Sequence, residues 1–112
     1  MTHALITGGA GFIGSHLARQ LSDVGQSVTV LDNLSTGDIR SVQPLVDQKG
    51  FQFIQGSVLD TDVLKPLVNA ADVIYHLAAS VGVMVVMEDP ISTIENNVES
   101  TKAVLQAAHR AT

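Results

Sequence analysis

A short, largely apolar run, His3–Ala4–Leu5–Ile6–Thr7, leads straight into Gly8–Gly9–Ala10–Gly11, and a helical period begins at Phe12. That succession limits what the chain can fold into more than any other feature. An apolar run of this length closed by two glycines reads as a buried strand. Beyond it, Ile13, Leu17, Leu21 and Val24 recur at steps of four, four and three, which is the stripe of an amphipathic helix. Gly25 stands where a left-handed helix cap belongs.

The alternation continues without an internal repeat. Ser27–Val28–Thr29–Val30–Leu31–Asp32 is β-branched and apolar, a second strand, and Asn33–Leu34–Ser35–Thr36–Gly37 is a polar turn. From Asp38 to Gly50 the pattern is weak and holds a short helix at most, because Pro44 interrupts it. Phe51–Gln52–Phe53–Ile54–Gln55 is a third strand, stopped by Gly56. Asp60 or Thr61 caps a helix running through Asn69, with Val63, Leu64, Leu67 and Val68 turned inward. The fourth strand is expected over Asp72–Ala79. The last helix starts near Pro90, a residue suited to a first helical position, with Ile94, Val98, Thr101, Leu105 and Ala108 as its inner stripe. Strands apolar on both faces and separated by helices imply a parallel sheet covered on both sides. Right-handed crossovers then narrow the fold to an α/β, Rossmann-type doubly wound sheet. It stops after about four strands and the helix that follows.

Composition bounds the function. With 112 residues the chain is about one domain, too short for separate cofactor and substrate modules. It is 46% hydrophobic and 15% charged, enough apolar matter for a real core. Lys plus Arg is 6 against 11 for Asp plus Glu, a formal charge of −5, which disfavours nucleic acid as a partner. The absence of cysteine excludes disulfides, Cys-ligated zinc and thiol catalysis. No apolar run approaches the ~18–20 residues of a membrane span, and the amino terminus has no signal pattern, so a soluble cytoplasmic domain is expected. His3, His16, His76 and His109 have no ligand spacing, so no metal is expected, and His76 reads as a packed strand histidine. Glu88 and Asp89 complement the dipole of the helix after them rather than forming a carboxylate pair for catalysis. Ser15, Ser80 and Ser92 lack a nucleophile-elbow pattern.

The glycine turn carries the chemistry. Three glycines between a strand and a helix make a dinucleotide signal that they would not make elsewhere. Gly8 permits the sharp exit from the strand, a side chain at Gly11 would collide with an approaching pyrophosphate, and Gly14 lets the helix lie close to the sheet. The unpaired N–H groups of the helix start attract the phosphates, so a chain of net −5 can still hold an anionic ligand. Asp32 ends the second strand a little over twenty residues later, near the offset of a ribose-binding acid. A carboxylate there accepts from the ribose hydroxyls and repels a 2′-phosphate, which selects NAD over NADP. Arg40, alone in a polar loop, reads as solvated.

Thr7-Gly8-Gly9-Ala10-Gly11-Phe12-Ile13-Gly14-Ser15-His16-Leu17 resembles the opening of the extended short-chain dehydrogenases, and more narrowly of the NAD-dependent nucleotide-sugar epimerases and dehydratases. Further matches are Asp32-Asn33-Leu34-Ser35-Thr36-Gly37, Tyr75-His76-Leu77-Ala78-Ala79, Asp89-Pro90 and Asn96-Asn97-Val98-Glu99-Ser100-Thr101. The resemblance spans essentially the whole chain. It implies that Gly8, Gly11, Phe12 and Ile13 surround the pyrophosphate, and that Asp32 and Asn33 hold the adenosine ribose with Ser35, Thr36 and Gly37 at its edge. It further implies that Gly56, Ser57 and Val58 flank the adenine and that Leu77, Ala78 and Ala79 pass behind the nicotinamide half. Asn96 or Asn97 would reach back toward the strand ends.

Two departures from the family pattern matter. Ser57 stands where the family usually has Asp, so its bond to the adenine amino group loses charge assistance and cofactor binding is expected to loosen. The family's catalytic Tyr-x-x-x-Lys pair and upstream Ser or Thr lie beyond a fifth strand, and this sequence has neither. Its only tyrosine, Tyr75, is followed four residues later by Ala79. Residues 1–112 are therefore expected to be a partial NAD-binding domain without catalytic residues or a sugar-nucleotide pocket, inactive alone. The intact enzyme would use NAD as hydride acceptor from a nucleotide-sugar substrate through a keto-sugar. Asp89-Pro90 and Asn96-Asn97-Val98 favour a 4-epimerase-like parent, though dehydratases and decarboxylases share them. The alternatives are a stand-alone NAD-sensing or interaction module and, more remotely, a methyltransferase-like sheet. Val81–Gly82–Val83–Met84–Val85–Val86–Met87 is apolar and uncharged, and an open fourth-strand edge beside it would favour self-association.

Overall fold

The computed structural model describes residues 2–78, 87 and 89–111. Strands β1 (His3–Thr7), β2 (Ser27–Asp32), β3 (Phe51–Gln55) and β4 (Val73–His76) form one parallel sheet in the order β3-β2-β1-β4. Thr7 is level with Leu31 on one side and His76 on the other, so the ends of the three strands lie side by side. Alternation along each strand separates two apolar layers. Ala4, Ile6, Val28 and Val30 pack with Ala18, Leu21 and Leu45, while Leu5 and Leu31 pack with Val58, Leu64, Val68 and Val104. Helix α1 (Phe12–Asp23) covers the first face, and α2 (Thr61–Ala70) and α3 (Pro90–Ala111) cover the second. The result is the expected doubly wound α/β sheet.

Local signals place the helices well. Gly25 has φ +89, and the paired bonds from the Gly25 amide to the Ser22 carbonyl (3.1 Å) and the Gln26 amide to the Leu21 carbonyl (3.0 Å) make a Schellman cap. The Asp60 carboxylate accepts the Asp62 amide at the start of α2. The weak stretch between β2 and β3 holds two single 3-10 turns, Ile39–Ser41 and Gln43–Leu45, with Pro44 inside the second and Leu45 buried in the core.

Two inner stripes differ from expectation. In α1 the buried residues are Gly14, Ser15, Ala18 and Leu21, whereas Ile13 is 70% exposed and Val24 lies past the helix, also exposed. In α3 the buried residues are Thr93, Ser100 and Val104, flanked by half-buried Ala103, Ala107 and Ala108. Ile94, Val98, Thr101 and Leu105 face away from the sheet, Ile94 and Leu105 each at 64% exposure. The reason is the same in both helices. Close approach to a neighbour is made by small residues, so Ile13 in α1 and Ile94, Val98 and Leu105 in α3 turn outward, while Leu17 and Leu21 of the α1 stripe pack in the core as expected. In α2 the reading holds: Leu64 and Val68 are buried, and Val63 and Leu67 pack beside them.

The fourth strand ends at His76, three residues before its expected limit, and Leu77 and Ala78 leave the sheet. Among the described residues β4 pairs with β1 alone and so forms an edge of the sheet. Ala79, Ser80, Glu88 and all of the Val81–Met87 segment except Met87 lie outside the described residues.

Candidate dinucleotide site

The glycines of the turn have different jobs. Gly8 has φ +74, and a Cβ on it would sit 2.7 Å from the Ala78 amide nitrogen. A Cβ on Gly9 would strike the Val30 side chain at 2.6 Å, and one on Gly14 would run into the Gly8 carbonyl oxygen. These three positions are glycine because the protein itself fills the space. Gly14 thus seats the helix against the turn more than against the sheet. Gly11 differs: its backbone (φ −79, ψ 179) suits any residue, and the one atom near a Cβ there would be the Gly8 carbonyl oxygen at 3.3 Å.

Gly11 is also the N-cap of α1, and no side chain caps the helix or places an acid in its first turn. The Gly8 and Gly11 amides are already bonded, to the Leu31 and Gly8 carbonyls. The Phe12, Ile13 and Gly14 amides of the first turn have no intrahelical acceptor, since the first bond runs from the Ser15 amide to the Gly11 carbonyl (3.0 Å). The positive end of the α1 dipole therefore opens on a surface without side-chain bulk at Gly11 and Gly14.

Asp32, 8% exposed at the tip of β2, reaches back to this turn. Its Oδ2 accepts the Ala10 amide at 2.9 Å and its Oδ1 the Leu34 amide at 2.8 Å. Leu34 turns its amide inward by adopting φ +62, the one positive φ at a non-glycine residue among those described. The carboxylate thus fixes the glycine turn and the β2 exit relative to one another, and its remaining lone pairs are left for a ligand. Gly37 lies so close that a Cβ on it would be 2.9 Å from Asp32 Oδ2.

At the other end of the turn, Thr7 is fully buried and its Oγ1 accepts the Ala78 amide (3.2 Å) and shares the Leu77 amide (3.1 Å) with the Thr7 carbonyl oxygen (2.9 Å). Both acceptor positions being taken, the hydroxyl donates to His76 Nδ1, 2.6 Å away. His76 therefore carries its own proton on Nε2, and its partial burial lowers its pKa from the ordinary histidine value. It is the packed strand histidine the sequence implied, bonded to a strand neighbour.

These features enclose a cleft of about 420 Å³ beyond the carboxyl ends of the strands, within the range of small-ligand sites. The cleft brings together most residues singled out from sequence. Gly8, Gly11, Phe12 and Ile13 line it from the turn, Asp32, Asn33, Ser35 and Thr36 from the β2 exit, and Ser57 and Val58 from the β3 exit. Leu77, Ala78 and Asn96 close it on the β4 and α3 side. Gly37 is not among the lining residues; it shapes the site from behind Asp32. Ala79 lies outside the described residues. Val58 borders the cleft although it is also part of the core.

Leu31, Leu59 and Ser100 also line the cleft and were not anticipated. Ser100 was recoverable, since it stands four residues after Asn96 on the same helical face. Asp32 is the only charged residue of the lining among those described. Arg40 is 87% exposed and bound to Asp38 at 2.6 Å, a pairing that lowers the Asp38 pKa and raises that of Arg40. Asp89 serves α3, accepting the Ser92 amide through Oδ1. No group of three potential metal ligands occurs among the described residues, and none of their helices is long and apolar enough to cross a membrane.

A parallel sheet whose strand ends carry a bare helix start and, on the next strand, an inward-held acid defines a dinucleotide-binding α/β protein of Rossmann type. Comparison narrows the class. The chain belongs to the NAD dependent epimerase/dehydratase family, whose model matches residues 4–112. It is 46% identical over 104 residues to the UDP-N-acetyl-alpha-D-glucosaminuronate decarboxylase of Bacillus cytotoxicus, covering 93% of this chain and 32% of that protein. Among solved structures it superposes on the dTDP-glucose 4,6-dehydratase of Streptomyces venezuelae, determined with NAD bound, with a TM-score of 0.89 and 35% identity. That match covers 98% of this chain and 36% of the dehydratase. The UDP-glucose 4-epimerase of Brucella ovis, in complex with NAD, matches with a TM-score of 0.85 and 36% identity over 99% of this chain and 33% of its own. The chain thus spans between 23% and 36% of the length of the proteins it matches.

Proposed function

We propose that this chain binds NAD and forms the dinucleotide-holding part of an enzyme acting on a nucleotide sugar. Gly11 carries the proposal. Backbone conformation does not call for glycine there, and inside the protein a Cβ would meet only the Gly8 carbonyl oxygen, a tight 3.3 Å contact, while the position faces the cleft beside the free amides of α1. A group that must approach the main chain closely, as a diphosphate does, supplies a further reason, on the side that faces the cleft. In this reading the Phe12, Ile13 and Gly14 amides hold the diphosphate, and Gly8 and Gly11 contribute only their lack of bulk.

Asp32 and Asn33 take the adenosine ribose, with Ser35, Thr36 and Gly37 at its edge. Ser57 and Val58 flank the adenine. Leu77, Ala78 and Ala79 back the nicotinamide half, and Asn96 faces it from α3. The Asp32 carboxylate favours NAD over NADP by repelling a 2′-phosphate. When bound, NAD supplies a hydride acceptor for oxidation of a sugar hydroxyl to a keto-sugar, in a 4-epimerase-like reaction by the sequence resemblance. The Tyr-x-x-x-Lys pair that resemblance calls for is not among these 112 residues, so the chain alone is expected to bind without turnover.

The reading extends to a cytoplasmic location and to self-association of the chain. Support for the latter is the outward face of α3: Ile91, Ile94, Val98 and Leu105 are all more than half exposed and follow steps of three, four and seven, as in a helix-pairing seam.

Calorimetric titration tests the cofactor. The native chain should bind NAD at least about tenfold more tightly than NADP, and Gly11→Val should lose NAD binding while still unfolding cooperatively, its stability lowered by about 1–2 kcal/mol as a poorer N-cap. Native-like NAD affinity in Gly11→Val, or tighter binding of NADP, would sink the proposal.

A further inference from the structure

We propose that Ser57 makes the base-reading end of the cleft indifferent to whether a purine carries an amino or an oxo group at its position 6. The inference rests on the NAD reading above. With the diphosphate at the start of α1 and the adjoining sugar at Asp32, the base on that sugar must lie still further from β1. In the order β3-β2-β1-β4 that direction leads to the carboxyl end of β3. There Gly56, Ser57, Val58 and Leu59 line the cleft. Gly56 has no side chain, Val58 is committed to the core and Leu59 is apolar. Ser57 is therefore the hydrogen-bonding side chain that the β3 exit offers to a base edge.

Its hydroxyl is already half engaged. Ser57 Oγ accepts the Leu59 amide at 3.1 Å, which occupies one acceptor position and holds the oxygen in place. One lone pair and the O–H remain. By rotating its hydrogen, the group can accept from an exocyclic amino group or donate to a carbonyl oxygen equally well. A carboxylate at this position would only accept, so it would repel the oxo group and could meet a 6-oxo purine only by shifting to the adjoining N1–H. The nearest acid in sequence, Asp60, is occupied at the start of α2, where it accepts the Asp62 amide.

The full chain is titrated with NAD and with nicotinamide hypoxanthine dinucleotide, whose base carries an oxo group at position 6 and a hydrogen on the adjoining N1. The two Kd values should agree within about fivefold for the native chain, and Ser57→Asp should move their ratio by more than about fivefold toward NAD. Ser57→Ala, which does not depend on accommodating a new charge, should weaken both by the same factor. A native preference for NAD beyond about fivefold, a ratio unmoved by Ser57→Asp, or a Ser57→Ala effect confined to NAD would each overturn the inference. Failure of both dinucleotides to bind the native chain would instead overturn the NAD reading on which it stands.

Discussion

Asp32 and Ala10 are joined across 22 positions of sequence by a 2.9 Å hydrogen bond from the Ala10 amide to the carboxylate. The acid is thus part of the turn's construction. Asp32→Ala should leave two amides without acceptors, the buried one of Ala10 and the half-buried one of Leu34. The expected loss is about 2–4 kcal/mol of unfolding free energy, measured by urea titration, beyond any loss of ligand affinity. A variant as stable as the native chain would show that Asp32 acts on the ligand alone.

Gly14 and Gly25 should separate two kinds of glycine requirement. A Cβ on Gly14 meets the Gly8 carbonyl and the Gly9 Cα, both backbone, whereas a Cβ on Gly25 meets nothing within 4 Å and is opposed only by φ +89. Gly14→Ala should therefore lower stability by more than about 2 kcal/mol, and Gly25→Ala by about 1 kcal/mol. Thermal or chemical denaturation giving the reverse order would contradict the packing described for α1.

His76 predicts a pH dependence of known sign. Burial lowers its folded-state pKa below the unfolded value, so in the window between the two the unfolded chain binds more protons. The stability associated with neutral His76 is complete above about pH 6.5 and is lost as pH falls toward the lowered folded-state value. Protonation at Nδ1 would also confront a Thr7 hydroxyl with no acceptor position free. The thermal midpoint of the native chain should fall more steeply between pH 7 and 5 than that of His76→Gln, and identical slopes would count against this assignment.

The two faces of α3 should respond oppositely. Val98→Glu combined with Leu105→Glu should reduce the apparent mass of the chain at high concentration in sedimentation or light scattering, with stability changed by less than about 1 kcal/mol. On the inner face, Val104→Ala should lower stability by about 1–3 kcal/mol and leave association alone. If the outer pair unfolds the protein while association persists, the outward face has been assigned wrongly.

The strands and their order of appearance were legible in the sequence, because each is an apolar run closed by glycine or a polar turn. The site was legible to the same degree: Gly8, Gly11, Asp32 and Ser57 stand at strand exits, and parallel topology brings those exits to one edge. Less legible was which way the helices face. Periodicity weighs bulk, so beside Leu17 and Leu21, which do pack in the core, it selected Ile13 in α1 and Ile94, Val98 and Leu105 in α3, all exposed, whereas the small residues Gly14, Ala18 and Ser100 are buried. The double use of Asp32 was also hidden, since it depends on Leu34 adopting a backbone conformation that nothing in its residue type announces.

No lysine or arginine borders the cleft among the described residues, so anion attraction there comes from peptide groups alone. Peptide groups are common to every residue type, and exchanging side chains nearby cannot delete them; only added bulk can shut them off. On the NAD reading proposed above, a lineage built on such a loop is free to rework the surrounding surface while continuing to carry the same nucleotide.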